Sequence, residues 1–263
     1  MFLLEKAARV THLAIDSRHM SPIEVATHDH IEEGIHYVLR IAAGLKHKPQ
    51  PTGARTPKSD PFMPYEAELY VADVAPAHVC LLNKYPVIAN HLLLITRDFE
   101  PQENMLTEQD FIALTQLLDE ADGLVFYNCG ASAGASQRHK HLQWVPRTLG
   151  ECRASLPLEP GLQTLRFNHY WSPLQGTEQA DTLYQCYQQA LRALAWRPGL
   201  AYNLLLTRQW LLLVPRHSAS WNGISINSLA FVGSFFVMDP QQAEQLRSAG
   251  FQAALQAVSG WPD

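Results

Sequence analysis

The run Ser136-Gln137-Arg138-His139-Lys140-His141-Leu142-Gln143-Trp144-Val145 holds the residues of this chain best suited to chemistry. In an extended strand alternate side chains share a face, so His139, His141 and Gln143 stand together, roughly 7 Å from one to the next. Lys140, Leu142 and Trp144 take the other face. The segment before it, Asn128-Cys129-Gly130-Ala131-Ser132-Ala133-Gly134-Ala135-Ser136, is almost all small residues. Small residues let backbone N–H groups approach a ligand, and such groups can hold phosphate oxygens. A phosphate-sized hollow beside a histidine strand suggests chemistry at phosphorus with imidazole as the nucleophile. Two histidines on one face could also ligate a metal or simply face solvent, and the motif alone leaves all three open.

The elements that must position this strand can be read from periodicity and punctuation. Residues 22–43 predict a helix, with Ile23, Val25, Ile31, Ile35, Val38 and Leu39 on a broad apolar side. Residues 46–64 predict a loop, rich in proline and carrying Lys46, Lys48, Arg55 and Lys58. It reads either as a solvated linker or as a basic flap over a polyphosphate. Short β-rich runs follow at 69–74, 78–83 and 91–96. Thr107 with Asp110 three residues on predicts a capped helix whose buried stripe is Phe111, Leu114, Leu117 and Leu118. A strand at 124–127 runs into the small-residue loop. Residues 181–196 predict an amphipathic helix stopped by Arg197-Pro198-Gly199. The runs 202–206 and 210–214 look like a hairpin, and Asp239-Pro240 opens the last helix. Strands and helices mix without strict alternation, which predicts an α+β fold.

The 263 residues suffice for one large domain or two small ones, and at 47% hydrophobic content a substantial core is available. A net charge of -5 without a long basic run argues against nucleic acid or an acidic membrane as the main partner. There is no apolar stretch long enough to span a bilayer, and Glu5 and Lys6 interrupt the opening apolar run as no secretory signal would. Cys80, Cys129, Cys152 and Cys186 form no C-x-x-C pair, so reduced thiols in a cytoplasm are expected. Neither a Walker A sequence nor a dinucleotide fingerprint is present.

Gly134-Ala135-Ser136-Gln137 followed by His139-Lys140-His141-Leu142-Gln143 resembles the His-x-His-x-Gln motif of the histidine-triad superfamily. Within that superfamily it is similar to the diadenosine tetraphosphate (Ap4A) phosphorylase, or ATP adenylyltransferase, family of the galactose-1-phosphate uridylyltransferase-like branch. Leu81-Leu82-Asn83-Lys84-Tyr85-Pro86-Val87, Asn90-His91-Leu92-Leu93-Leu94-Ile95-Thr96 and Gly223-Ile224-Ser225-Ile226-Asn227-Ser228-Leu229 fit the same family. So do Tyr202-Asn203-Leu204-Leu205-Leu206-Thr207 and Leu212-Leu213-Val214-Pro215-Arg216. Motifs in this order are far more specific than one His-x-His.

The resemblance implies a histidine-triad-like antiparallel sheet flanked by helices, with a C-terminal segment completing the site. Residues 1–175 and 176–263 would be its two regions, joined in one compact unit. It implies phosphorolysis of Ap4A to ATP and ADP through an adenylyl-histidine, reversible as adenylyl transfer from ATP to ADP. The alternatives are a dinucleoside polyphosphate hydrolase, a sugar-phosphate nucleotidyltransferase, or a nucleotide sensor without turnover. His141 would be the nucleophile and Gln143 a donor to a non-bridging phosphate oxygen. His139 would support His141 through its backbone carbonyl or its ring. Nucleotide contacts would come from Asn83, Lys84, Asn128, Ser136, Gln137, Asn227, Ser228 and Leu229, with backbone N–H groups from Gly134 and Ala135. A lysine of the 46–58 stretch, Lys48 or Lys58, would join them. His91 matches the superfamily's upstream histidine, with core packing as the other reading. This chain has Arg138 where some members have proline, and Met238 where eukaryotic members carry lysine. A divalent cation such as Mg2+ would come with the nucleotide, held largely by the substrate, with no tightly bound protein metal. The expected partners are Ap4A, ATP, ADP, AMP and phosphate, for a cytoplasmic protein expected to be a monomer.

Overall fold

The computed structural model describes residues 3–42, 60, 62–150 and 156–261. Helix α1 (Leu3–Asp16) opens the chain. The strands β1 (Ala26–Glu32) and β2 (Ile35–Ile41) then form an antiparallel hairpin. The predicted helix over 22–43 is therefore wrong. Glu33 and Gly34 both hold positive φ, 51° and 80°, the two-residue turn that matches strand twist. Helical spacing and a hairpin coexist in this run. The choice falls to a distant segment, β13 (Ser234–Val237), which pairs parallel to β2 and buries Tyr37, Val38 and Leu39.

Strands β3 (Tyr70–Val74), β4 (His78–Leu82) and β5 (Leu92–Thr96) follow. Helix α2 (Glu108–Glu120) starts in a full capping box: the Thr107 side chain accepts from Asp110 N–H, and the Asp110 carboxylate accepts from Thr107 N–H. Then come β6 (Gly123–Cys129), β7 (His141–Pro146) and β8 (Tyr170–Pro173). Helix α3 (Ala180–Ala193) leads to the hairpin β9 (Ala201–Leu206) and β10 (Trp210–Arg216). The short pair β11 (Ser220–Trp221) and β12 (Ile224–Ser225) precedes β13. Asp239 caps α4 (Pro240–Ala249), and α5 (Phe251–Gln256) closes the described fold.

Eight strands make one antiparallel sheet in the order β3-β4-β5-β7-β6-β9-β10-β8, with β7 between β5 and β6 near its middle. The α+β expectation, an antiparallel sheet flanked by helices, holds. One face is covered by α1, α2 and α3, with Phe111, Leu114 and Tyr187 packed on Leu142, Trp144 and Val125. The opposite face carries two separate apolar clusters. One joins Phe126, Val145 and Leu205 to the C-terminal segment. The other joins Val79, Leu81, Leu93 and Ile95 to Phe62 and Met63. His141 and Gln143, which alternate with Leu142 and Trp144 along β7, point to this interrupted face. Among the described residues no helix is long and apolar enough to cross a membrane.

Candidate active site

β7 begins at His141, and the residues just before it are strapped to the chain that follows β5. Lys140 N–H donates to Glu100 O at 2.7 Å, and Gln102 N–H to Arg138 O at 2.9 Å. The buried Gln102 side chain grips the strand from beside it. Its Oε1 accepts from His141 N–H at 2.8 Å, and its Nε2 donates to the carbonyls of Asn128 (2.9 Å) and His141 (3.2 Å). The nucleophile candidate is thus fixed through its backbone by a residue with no signal in the sequence.

The His141 ring is buried, and its Nδ1 lies 2.8 Å from the His139 carbonyl. A carbonyl only accepts, so Nδ1 carries the proton and Nε2 presents its lone pair. Nε2 has no hydrogen-bond partner among the described residues. Burial draws the His141 pKa down to about 4, against the lesser opposing pull of the His139 carbonyl, so the ring is neutral at physiological pH.

The His139 ring has other work. Nδ1 lies 2.8 Å from the Asp60 carboxylate, and Nε2 lies 2.8 Å from Thr96 O and 2.9 Å from Thr96 Oγ1. Thr96 Oγ1 donates its own proton to Asp98 O, so both ring nitrogens face acceptors, and the ring is fully buried. Burial alone would raise the Asp60 pKa, but hydrogen bonds from His139, Phe62 N–H and Met63 N–H lower it below the usual value. The Phe62 ring packs edge-on against both histidines, its centroid 5.8 Å from His139 and 5.2 Å from His141. In this arrangement the His139 carbonyl, not its ring, touches His141. Asp60 and Gln102 were not singled out from the sequence; each acts by long-range contact, and neither sits in a motif.

Gln143 is half-buried and its Oε1 lies 2.9 Å from His91 Nε2. The other His91 nitrogen, Nδ1, lies 3.1 Å from Asn83 Nδ2, while Asn83 Oδ1 accepts from Tyr85 N–H at 3.1 Å. Burial lowers the His91 pKa to about 4, so this ring is neutral too. The core-packing and functional readings of His91 merge: it is buried, and it holds Gln143. Lys84 is half-exposed and pairs with Glu66 at 2.6 Å.

The small-residue loop turns on two glycines at positive φ, Gly130 (82°) and Gly134 (90°). The N–H groups of Gly134 and Ala135 donate to Ala131 O and Gly130 O, within the loop itself. Within the loop the Gly134 and Ala135 N–H groups are thus engaged, while those of Ser136 and Gln137, both exposed residues, are without a partner among the described residues.

Asn128, buried on β6, has its Oδ1 taken three times: by Asn203 Nδ2 (2.8 Å), Ser228 Oγ (2.6 Å) and Ser228 N–H (3.2 Å). Its amide NH2 is the group that remains. Asn227 caps the short turn after it by accepting Leu229 N–H at 3.0 Å, and the Leu229 side chain is buried in the core. Arg216, buried at the end of β10, ties these parts together. It donates to Asn203 Oδ1, to Ile226 O (2.8 Å), Ser218 O (2.6 Å), Val258 O (3.2 Å) and Ala133 O (3.4 Å). All five acceptors are neutral, and burial pulls its guanidinium down to about 9, which leaves it charged at neutral pH. The sequence signals were faint: Asn203 and Arg216 are polar residues closing or interrupting apolar strands.

On the far face of the strand the Lys140 ammonium is fully buried between Asp110 (2.7 Å) and Glu100 (3.0 Å), and Asp110 also meets His78 at 2.8 Å. Its charge is spent inside the fold. Lys48 and Lys58 fall outside the described residues, as does Cys152. Met238 is exposed.

A neutral imidazole nitrogen, an oriented amide donor and unspent backbone N–H groups on one face suit nucleophilic attack at a phosphate. Family comparison agrees with that class of protein. Residues 1–164 match the Ap4A phosphorylase N-terminal domain, and residues 163–260 match the ATP adenylyltransferase C-terminal domain. The chain belongs to the Ap4A phosphorylase family. It is 31% identical over 255 residues to diadenosine 5',5'''-P1,P4-tetraphosphate phosphorylase 2 of Saccharomyces cerevisiae, covering 80% of this chain and 78% of that protein. To Protein APA1 of the same yeast it is 33% identical over 240 residues, covering 75% and 74%. Its fold matches the crystal structure of yeast Ap4A phosphorylase Apa2 with a TM-score of 0.82 at 25% identity, over 100% of this chain and 99% of that one. The complex of Apa2 with Ap4A matches with a TM-score of 0.80 at 26% identity, over 99% and 97%.

Proposed function

We propose that this protein phosphorolyses Ap4A to ATP and ADP through an adenylyl group on His141 Nε2. The observation that carries the reading is the His141 Nδ1–H bond to the His139 carbonyl, which leaves Nε2 as the basic nitrogen. In the first step the Nε2 lone pair attacks the α-phosphorus. A P–N bond forms and the P–O bond to the leaving group breaks, releasing ATP. In the second step a phosphate oxygen attacks the same phosphorus, the P–N bond breaks, and ADP leaves with the imidazole restored. Run backwards, these two steps make ADP, not ATP, the donor: ADP gives its adenylyl group to His141 with loss of phosphate, and ATP accepts it.

Gln143 Nε2 supplies a donor to a non-bridging oxygen as charge develops there. Ser136 and Gln137 N–H, with the Asn128 amide, are the donors for the phosphate chain. The uncompensated charge of Arg216 under the loop and the C-terminal segment favours an anion above them. A divalent cation, Mg2+ for example, accompanies the polyphosphate and is held by substrate oxygens. The reading includes a cytoplasmic monomer. The thiols of Cys80 and Cys129, both buried and unpaired, are in keeping with a reducing compartment.

Product analysis tests the reading. Ap4A with phosphate should yield ATP and ADP, and without phosphate should stall after one ATP per protein. His141→Ala should abolish both cleavage and adenylyl uptake. Steady AMP release in phosphate-free buffer would assign a hydrolase instead.

A further inference from the structure

Asn83 matched a nucleotide contact in the sequence, yet its side chain is turned inward. Tyr85 N–H donates to Asn83 Oδ1 at 3.1 Å, which fixes the amide with its oxygen towards the turn and its NH2 towards His91 Nδ1, 3.1 Å away. An NH2 only donates, so Nδ1 must offer its lone pair. In a neutral ring the proton then sits on Nε2, 2.9 Å from Gln143. Nε2–H needs an acceptor, so Gln143 turns its Oε1 to His91 and its NH2 away. Were the His91 proton on Nδ1, Gln143 would present an oxygen to the phosphate and repel it.

We propose that Asn83 is a positioning residue, which sets the tautomer of His91 and through it the direction of the Gln143 amide. The inference rests on the phosphorolysis reading and assigns Asn83 a part in turnover rather than in nucleotide affinity. The backbone reinforces the link, because Asn83 N–H donates to His91 O at 3.0 Å. The Phe126 ring covers His91 at 5.9 Å, and the titratable group that acts on it is His141 of β7. Lys84, next to Asn83, is neutralised by Glu66. Burial holds His91 neutral, the state in which a tautomer choice exists.

Asn83→Asp reverses the logic. A carboxylate can only accept, so Nδ1 must carry a proton. The doubly protonated ring keeps its Nε2–H on Gln143; once it loses that proton, Gln143 flips. Single-turnover adenylylation by Asn83→Asp should therefore fall about tenfold or more between about pH 5.5 and about pH 9, where the unaltered protein stays level. Asn83→Ala should slow adenylylation about tenfold or more with little change in Ap4A affinity. Combined with Gln143→Ala it should be no slower than Gln143→Ala alone, itself down about 10²-fold. Nitrogen-15 NMR of the unaltered protein reads the tautomer without any substitution and should find the His91 proton on Nε2. A proton on Nδ1 would overturn the proposal. So would a level pH profile for Asn83→Asp, or an Asn83→Ala variant that loses affinity at full turnover. If the unaltered protein takes up no adenylyl group, the phosphorolysis reading fails, while the NMR result still judges the relay on its own.

Discussion

One hydrogen bond and burial set the state of the His141 ring on which the proposed reaction depends. The His139 carbonyl takes the Nδ1 proton, and the surroundings penalise a second one, so the ring is pulled from about 6.5 to about 4. The sign is simple. In the proposed reaction the neutral ring is the nucleophile, so the active fraction is full above the folded value and is lost only as pH falls through about 4. Single-turnover adenylylation from Ap4A, measured without phosphate so that the acceptor does not titrate, should be level from about pH 8 to about pH 5.5. An acid limb centred near 6.5, the ordinary histidine value, would show that the ring is solvated and that its burial is not maintained in solution. His139 differs from its neighbour by environment alone: two residues away, its ring meets a carboxylate and a hydroxyl–carbonyl pair and is held in place by them.

At the scale of elements, the small-residue loop is shaped by packing as well as by any ligand. A β-carbon on Gly134 would stand 3.0 Å from Ile226 O and 3.1 Å from Asn227 Cβ, and its φ of 90° disfavours any other residue. Gly134→Val should therefore shift the segment 226–229 before it ever meets phosphate. It should lower both nucleotide affinity and melting temperature. Calorimetry beside a nucleotide titration checks this; weakened binding at unchanged stability would mean the valine meets only the ligand. A comparable constraint lies at the other end of the motif. A β-carbon on Gly123 would come within 2.3 Å of the Trp144 ring, so Gly123→Ala should cost roughly 1–3 kcal/mol by overpacking. Urea unfolding would measure it.

Across the whole molecule, the site is a gap in the core. The helix-covered face of the sheet is one continuous apolar cluster, while the other face is divided in two, and His141 and Gln143 stand in the interval. Arg216, over the Phe231 ring, ties the C-terminal side of the site together. Removing its fork would leave Asn203 Oδ1, Ile226 O and Ser218 O without a donor among the described residues, while Ala133 O keeps Asn203 Nδ2 and Val258 O keeps His217 N–H. Arg216→Met should destabilise the fold by on the order of 3–5 kcal/mol. Any folded remainder should lose affinity for ATP more than for uncharged adenosine, as equilibrium binding of the two would show. Equal losses would make Arg216 a scaffold residue without electrostatic effect on the site.

What the sequence determined was local. Alternation placed His141 and Gln143 on one face and Lys140 on the other, because the side-chain period of a strand is fixed by its backbone. Thr107 and Asp110 announced the start of α2, and Asp239-Pro240 that of α4, because a cap is made by residues within one turn of each other. The order of the motifs was enough to reach the family. Tertiary structure decided the rest. Residues 22–43 carry spacing that suits a helix, yet residues 26–41 of that run form a hairpin whose second strand pairs with β13, nearly 200 positions on. The partners of the motif could not be foreseen: Asp60 and Thr96 for His139, Gln102 for the His141 backbone, and Arg216 for the small-residue loop. Each lies far from its partner in the chain, and a hydrogen bond between distant residues leaves no periodicity to read. Asn83 shows the difference most directly. The family resemblance marked it as a nucleotide contact, but only the fold decided that its amide faces His91.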